Sequence, residues 1–361
     1  MKWALRIARI AGIRLYIHWT FLLLLGWVVV REVGRGSDTA TVLLTLAYVL
    51  TIFGCVVLHE LGHSLTARRY GIPTRRITLL PIGGVASLAR MPEDPRQELL
   101  VAVAGPAVNV VIALLLLPFI DVGQAYTDEM TTAITPHNFL LSLFAVNIVL
   151  VLFNAIPAFP MDGGRVLRAL LALKIGRTRA TQIAARIGQF IAFAFAAYGF
   201  LGGNFLLIFI GIFVYFGAQG ENLAVQHLEH LRDHVVRDAM MTDVAVLRSD
   251  DPIQKAVGQL LARTDQDFLV VNEEAQVLGI ITRARLIEAL QRGRTEATAA
   301  EVMEAPSEAF HPTDRMTQIW PRLQRERRTL FPVVEGGRLV GAINLENVNE
   351  FIMVQSALNH Y

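Results

Sequence analysis

Two hydrophobic patterns divide the chain. Up to about residue 220, apolar stretches recur with few charges, and each is close to the roughly 20 residues that a helix needs to cross a bilayer. From about residue 221 onward, apolar and polar residues mix as in a soluble domain. The pattern predicts a multi-pass α-helical membrane domain followed by a soluble α/β domain. The six predicted spans are Tyr16–Val30, Val42–Ala67, Leu99–Ile120, Phe139–Ile156, Ile187–Gly202 and Phe205–Gln219.

The composition agrees with this division. Hydrophobic residues make up 53% of the 361 residues and charged residues only 18%, which is too apolar for an ordinary soluble protein. The single cysteine, Cys55, excludes an intramolecular disulfide framework and a cysteine-rich zinc site. Any metal site must therefore use histidine and carboxylate ligands. We expect the lipid bilayer as a partner and no nucleic acid.

The distribution of basic residues predicts the orientation. Lysine and arginine cluster before the first span and in the segments 68–96 and 165–186, whereas segment 121–137 contains none. Cytoplasmic loops of membrane proteins carry an excess of these residues. With six spans, both termini are therefore predicted to be cytoplasmic.

The second predicted span contains polar residues at an unexpected depth. His59 and His63 are four residues apart, so a helix projects both imidazoles from one face, where they can bind a single ion. Glu60 completes the pattern H-E-x-x-H, which fits zinc held by two histidines with the glutamate taking a proton from the water that zinc activates. The alternative is a pair of core histidines bonded to neighbouring carbonyls. Ionisable side chains are costly in a membrane, and this favours the metal site.

A catalytic zinc site keeps three protein ligands, so a third is needed. Asp162 follows two prolines and precedes two glycines in "FNAIPAFPMDGGRVLRAL", where the helix geometry must be interrupted. It is the carboxylate best placed to reach the two histidines. The alternative is that Asp162 only caps the helix that follows it.

These motifs carry a family resemblance. The stretches "HELGHSLTARRYGI", "LLPIGGVASLARMP", "AGPAVNVV" and "FNAIPAFPMDGGRVLRAL" resemble the site-2 protease family of intramembrane zinc metalloproteases, in the branch with a C-terminal pair of CBS domains. The resemblance implies His59, His63 and Asp162 as zinc ligands and Glu60 as the general base. It also implies that Asn154 helps to hold the substrate or the oxyanion, and that "LLPIGGVASL" enters the membrane as a strand hairpin.

Residues around the motifs have their own interpretations. A strand with Gly83 and Gly84 could present an unpaired edge to which an extended substrate adds, so both glycines are predicted to bind substrate. The alternative is a simple re-entrant turn. Gly105 is assigned to close helix packing and Asn109 to an interhelical hydrogen bond. Cys55 lies one turn before His59, but a fourth protein ligand would close the site to water, so a small buried residue is favoured.

The soluble half contains a repeat with a period of roughly 62 residues. Each copy is predicted to read helix, strand, helix, strand, strand, helix, and the pair resembles tandem CBS domains, which often bind adenine nucleotides. The predicted boundaries are 1–220 for the membrane protease domain, 221–236 for a linker and 237–361 for the pair, with copies at about 237–291 and 299–354.

The family's nucleotide signature ends in an aspartate three residues after a Thr or Ser. This chain has Thr282 with Arg285 in the first copy and Asn344 with Asn347 in the second, so both aspartates are missing. Arg285 could still contact a phosphate, which makes Thr282 and Arg285 the candidate nucleotide-binding residues. The alternative is a regulatory pair without a ligand, which could also hold two copies of the chain together as a homodimer.

Two function classes follow. The first is an intramembrane zinc endopeptidase that cuts transmembrane protein substrates and is regulated by the CBS pair. The second is a non-enzymatic, CBS-gated transporter or metal-binding membrane protein. Glu60 discriminates between them, because a transport site needs no general base beside its first histidine.

Overall fold

The computed structural model describes residues 4–81, 83–88, 91–120, 134–262, 267–306, 308–325 and 330–358. These residues form two compact units, which divide between Leu223 and Ala224. The membrane domain was predicted to end at residue 220, three residues earlier.

The first unit contains seven helices and four strands among its described residues. The helices are α1 (Trp19–Gly34), α2 (Thr39–Arg69), α3 (Pro95–Leu116), α4 (Phe139–Ala155), α5 (Asp162–Ile175), α6 (Arg177–Leu201) and α7 (Phe205–His230), with a 3-10 turn at Leu117–Phe119. The strands are β1 (Ala4–Ile10), β2 (Ile13–His18), β3 (Thr74–Leu80) and β4 (Gly83–Leu88).

Polar residues define where the long helices begin. Asp38 caps α2, because its Oδ1 accepts a hydrogen bond from the Thr41 backbone N–H at 3.0 Å. Asp94 caps α3 in the same way, and Pro95 occupies the first helical position, where its missing N–H costs no hydrogen bond. Both caps lie outside the apolar parts of their helices.

The helices match the predicted spans in part. Four of them are long and apolar enough to cross a membrane (α2, α3 with its 3-10 turn, α6 and α7), and α4 is a shorter apolar helix. The first span begins later than predicted, because Tyr16–His18 belong to β2 and α1 begins at Trp19. Large apolar side chains such as Phe190, Phe193 and Phe209 point outward from α6 and α7, as expected for surfaces that face lipid. The number of spans, six, remains a prediction.

The four strands form one sheet in the order β1-β2-β3-β4. The β3–β4 pair is antiparallel and aligns Leu79 with Gly84 and Leu80 with Gly83. The predicted strand hairpin is thus a pair of strands rather than a simple turn; Ile82, within it, lies outside the described residues. A core of Ile13, Leu15, Leu61 and Ile77 packs the sheet against α2.

The second unit contains the predicted repeat. Its first copy consists of α8 (Val236–Ala239), β5 (Val246–Arg248), α9 (Ile253–Ala262), β6 (Asp267–Val271), β7 (Val277–Thr282) and α10 (Arg283–Gln291). Its second copy consists of α11 (Ala299–Val302), α12 (Met316–Arg325), β8 (Phe331–Glu335), β9 (Arg338–Ile343) and α13 (Leu345–Leu358). In place of a full first strand, the second copy has a parallel bridge between Phe310 and Val333.

Each copy packs the other copy's leading segment into its core. Leu231, just before the first copy, and Val236, at the start of α8, are buried with the core of the second copy, whereas Ala299 and Val302 of α11 are buried with the core of the first. The predicted linker 221–236 therefore coincides with the end of α7 and with residues that belong to the second unit's core. A protein cut at Asp238 would lose two of these core side chains.

Candidate metal and catalytic site

Three side chains from two helices meet inside the first unit. His59 Nε2 lies 3.1 Å from His63 Nε2, and Asp162 Oδ2 lies 3.2 Å from the first nitrogen and 3.0 Å from the second. All three residues are buried. The structure thus brings together the two histidines of α2 and the aspartate that begins α5, although His63 and Asp162 are 99 residues apart along the chain.

The other ring nitrogens are held by α3. His63 Nδ1 lies 2.7 Å from the backbone carbonyl oxygen of Val101, which can only accept, so Nδ1 carries a proton. His59 Nδ1 lies 2.6 Å from Asn109 Oδ1. In this respect the alternative of core histidines was half right, since one nitrogen of each ring bonds to a neighbouring oxygen.

A chain of amides fixes the His59 tautomer. The Leu143 carbonyl accepts from Asn147 Nδ2 at 2.8 Å, which turns Asn147 Oδ1 toward Asn109 Nδ2, also at 2.8 Å. Asn109 Oδ1 is then left to accept from His59 Nδ1, so the proton of that imidazole lies on Nδ1. The interhelical hydrogen bond predicted for Asn109 is confirmed, and it extends from α2 through α3 to α4.

With both protons on Nδ1, three acceptors converge. When both imidazoles are neutral, the two Nε2 lone pairs and the Asp162 carboxylate have no hydrogen to share between them, and this arrangement is repulsive unless a cation lies among them. Ligand atoms around tetrahedral zinc lie roughly 3.3 Å apart, close to the separations found here. Two imidazoles and one carboxylate form a donor set of the catalytic type, with one position left for water. The residues fit a zinc ion.

Asp162 reaches this position because of the residues on either side of it. A Cβ on Gly163 would lie 2.4 Å from the Ile156 carbonyl oxygen, and one on Gly164 would lie 2.5 Å from the Ala158 carbonyl carbon. The two glycines thus let α5 start directly against the preceding loop. The N-cap residue is Met161, so Asp162 does not cap α5 and the capping alternative is wrong.

Gly105 faces the two histidines of the same site. A Cβ at this position would lie 2.2 Å from His63 Nε2 and 2.8 Å from His59 Nε2. Gly105 was predicted to allow close helix packing. At this position α3 packs against the Nε2 atoms of His59 and His63.

The side chain of Glu60, on α2, lies against β4. A Cβ on Gly84 would come within 2.9 Å of Glu60 Cγ and 3.1 Å of Val56 Cγ1, so the glycine allows β4 to approach this face of α2. Among the described residues, β4 is the last strand of the sheet and pairs only with β3. Its other edge pairs with no strand in the described part of the chain.

Asn154 lies near the predicted metal ligands without touching them. It lines a cavity of about 330 Å³ together with Asp162, and the remaining lining is apolar and comes from α3, the end of α4, the loop after it and α5. Its Nδ2 donates to the Leu150 carbonyl oxygen at 3.0 Å, which uses one of the two amide hydrogens. Cys55 is buried, 3.6 Å from Asn147 Nδ2, and is not part of the His59–His63–Asp162 cluster, as predicted.

Sequence reasoning missed a second buried polar group. Arg168 on α5 binds Glu98 on α3 and Glu221 on α7, and both Arg168 and Glu98 are almost completely buried. Arg165, one turn after Asp162, lies 3.7 Å from Asp162 Oδ1. An arginine inside the apolar stretch "RVLRALLAL" was the available signal, because a buried charge in such a segment calls for a partner.

In the second unit, Thr282 and Arg285 contact each other. The Thr282 hydroxyl accepts from the Arg285 backbone N–H at 3.3 Å and caps α10. The Arg285 guanidinium lies 2.9 Å from Glu304 and 3.4 Å from Glu288. Asn344 likewise accepts from the Asn347 N–H at the start of α13. Both candidate pairs therefore cap helices, and Arg285 already has carboxylate partners.

Comparison with known proteins gives consistent matches. The sequence model of peptidase family M50 matches residues 47–136 and 122–195, and that of the CBS domain matches residues 236–292. The zinc metalloprotease MJ0392 of Methanocaldococcus jannaschii is 34% identical over 351 residues, covering 96% of each chain. The putative zinc metalloprotease sll0528 of Synechocystis is 27% identical, covering 98% of this chain and 96% of its own.

Among solved structures, the site-2 protease from Methanocaldococcus jannaschii is similar. It is 39% identical, with a TM-score of 0.45, and the match covers 61% of this chain and 95% of that one.

Proposed function

The chain belongs to peptidase family M50 and is an intramembrane metalloprotease of the site-2 type, and on that premise we propose how its residues perform the reaction. His59, His63 and Asp162 hold one zinc ion, and Glu60 is the general base. The observation that carries this proposal is the convergence of two imidazole nitrogens and one carboxylate oxygen, each 3.0 to 3.2 Å from the next. The alternative of a non-enzymatic transporter does not agree with the peptidase family.

Bound zinc would polarise the scissile carbonyl and lower the pKa of water. Glu60 then accepts a proton from the attacking water and delivers it to the leaving amine nitrogen. Asn109 and the Val101 carbonyl keep both histidines in the tautomer that presents Nε2. The second amide hydrogen of Asn154 is available to a carbonyl oxygen as negative charge develops on it.

The substrate is a transmembrane segment of another protein. In a helix the peptide N–H and C=O groups are hydrogen-bonded to one another, so the segment must unwind before water can attack a peptide bond. We propose that the unwound stretch adds to the free edge of β4 near Gly83 and Gly84, which brings it beside Glu60. The apolar cavity between α3 and α5 supplies a surface for a neighbouring apolar side chain.

Substitution of the base tests the catalytic proposal. Glu60→Gln should bind zinc stoichiometrically and lose cleavage of a model transmembrane substrate, because the amide keeps the shape but takes no proton. Atomic emission measures the zinc content, and gel electrophoresis of the product measures cleavage separately. Cleavage that persists in Glu60→Gln, or zinc lost with it, would overturn the assigned role. The inactive protein would also trap natural substrates for identification.

The CBS pair is proposed to regulate cleavage from the cytoplasmic side, where the distribution of basic residues puts both termini. Adenine nucleotide binding at Thr282 and Arg285 is the finer proposal, and the carboxylates beside Arg285 predict that it is weak. Calorimetric titration of the full chain with AMP and ATP tests it. A dissociation constant for AMP in the low micromolar range would contradict the prediction of weak binding. If millimolar ATP gives no heat of binding, the CBS pair does not bind adenine nucleotide. Light scattering of the purified chain tests the proposed homodimer.

A further inference from the structure

Arg168 is the centre of a buried ion cluster that joins three helices. Its Nε donates to Glu98 Oε1 at 2.8 Å, its Nη2 contacts the same oxygen, and its Nη1 donates to Glu221 Oε1 at 2.5 Å. The guanidinium also lies over the Phe159 ring, with its carbon 5.0 Å from the ring centroid. We call Glu98, Arg168 and Glu221 the arginine cluster.

Stability alone is a poor explanation for such a cluster. Removing charges from water is expensive, and well-packed apolar residues often stabilise a protein as much as a buried ion pair does. What the cluster does provide is geometry, because the planar guanidinium accepts partners only in fixed directions. Each glutamate thus sets the position of its helix relative to α5.

Two of these helices build the metal site. Arg168 lies on α5, whose first residue is Asp162, about 9 Å away along the helix axis. Glu98 lies on α3, one turn before Val101, whose carbonyl oxygen accepts from His63 Nδ1. The bond between Arg168 and Glu98 therefore fixes the helix of the aspartate against the helix that orients the histidine.

The third helix leads toward the second unit. Glu221 lies on α7, two residues before the first unit ends at Leu223, and α7 continues to His230. The side chain of Glu221 is 31% exposed, whereas that of Arg168 is completely buried. Glu221 is thus the member of the cluster that can leave it most easily when α7 moves.

We propose that Arg168 is a positioning residue for Asp162, and that Glu221 transmits the position of α7 to the metal site. When Glu221 holds Arg168, α5 keeps the carboxylate of Asp162 on the two histidines. When α7 shifts and Glu221 leaves, Arg168 keeps Glu98 as its single carboxylate partner, α5 shifts, and the carboxylate of Asp162 moves with it. Signals from the CBS pair reach the catalytic centre by this route. The proposal rests on the proposed function, since it concerns the same metal site.

The test is Glu221→Ala in the full chain, with Glu229→Ala as its matched control. Glu229 lies on the same helix and its side chain is 50% exposed, so the control removes an equal charge outside the cluster. Both proteins are loaded with zinc for cleavage and with cobalt(II) for visible absorption, which reports the ligand geometry independently of activity. We expect Glu221→Ala to shift the cobalt bands and lower kcat by about tenfold, the low end of the loss on removing a direct partner of a metal ligand, because Glu221 acts on Asp162 only through Arg168 and α5. Glu229→Ala should match the wild type in both.

Arg168→Lys provides a second variant that keeps the positive charge. A single ammonium lacks the fork that holds two carboxylates in one plane, so it should shift the cobalt bands in the same direction. Unchanged cobalt spectra and kcat values within about twofold of wild type in both variants would overturn the proposal. A lower melting temperature with unchanged spectra would also overturn it, since the cluster would then serve stability only. Failure of the proposed function is recognised separately, because Glu60→Gln would then fail to abolish cleavage.

Discussion

The two units differ in where their polar side chains lie: many are buried in the first unit, and nearly all are at the surface of the second. Among the described residues, every buried polar or charged side chain except Asp267 lies in the first unit. There, more than half of the buried polar groups belong to connected sets: the His59–His63–Asp162 cluster, the amides behind it and the arginine cluster. In the second unit, ion pairs such as Arg237–Glu335 and Arg248–Glu273 lie at exposed positions.

The difference follows from the solvent of each unit. Water lowers the cost of a charge at the surface of a soluble domain, so ion pairs there contribute little and can be placed freely. Inside an apolar unit each polar group must find a partner or bind an ion. The polar groups of the first unit are therefore concentrated where the chemistry requires them, and their loss should have effects much larger than losses in the second unit.

The strongest test of this contrast is Gly105→Ala. The new methyl group would overlap the ligand nitrogens of His63 and His59, so α3 must move away from them. We expect loss of stoichiometric zinc and no detectable cleavage, measured by metal analysis and substrate assay. The control is Gly54→Ala on α2, where a Cβ meets nothing within 4 Å. Normal zinc content in Gly105→Ala would contradict the described geometry of the site.

A smaller but still large effect is expected for Asp162→Asn. The amide keeps the shape of the carboxylate but not its charge, so zinc should bind more weakly and turnover should fall below detection. The matched control is Asp94→Asn, because Asp94 caps α3 and asparagine caps a helix as well as aspartate does. Circular dichroism should show both proteins folded. An Asp162→Asn enzyme with nearly normal activity would remove Asp162 from the ligand set.

The smallest effect is expected in the second unit, at Asp267. Burial raises the pKa of its carboxyl group above the ordinary value, although the Arg283 backbone N–H donates to Oδ1. Oδ2 has no hydrogen-bond partner among the described residues. A carboxyl group with a raised folded-state pKa binds its proton more tightly when folded, so its stabilising contribution is present at low pH. That contribution is lost as the pH rises through the folded-state pKa.

Asp267→Asn should therefore stabilise the second unit at pH 7, on the order of 1 kcal/mol as for ordinary substitutions. The difference in unfolding free energy between Asp267→Asn and the wild type should shrink as the pH falls toward 4, because the wild-type carboxyl group then gains its proton. Unfolding of residues 224–361 by denaturant can be followed through Trp320, the single tryptophan of that segment, which is buried in its core. A wild-type protein that loses stability relative to Asp267→Asn on acidification would reverse the sign and contradict the raised pKa.

Local sequence patterns predicted most of the architecture. Apolar stretches identified the long helices, because a helix in lipid must be apolar along its length. The repeat predicted the second unit, since two similar segments fold alike. The spacing of His59 and His63 placed both imidazoles on one face of α2, and this follows from helix geometry alone. The start of α1 was misplaced, because Tyr16 and Ile17 continue the apolar run along the chain but pair with β1 and β3.

What the sequence determined by itself was the identity of the three donors and the class of chemistry. The tertiary structure decided which groups orient them. Val101, Asn147 and Arg168 carry no motif, since a carbonyl, an amide and an arginine serve many purposes, and only helix packing assigns one. Gly105 shows the limit most clearly: a glycine in an apolar helix predicts a close approach. That it approaches two ligand nitrogens depends on contacts more than 40 residues apart along the chain, which no local pattern encodes.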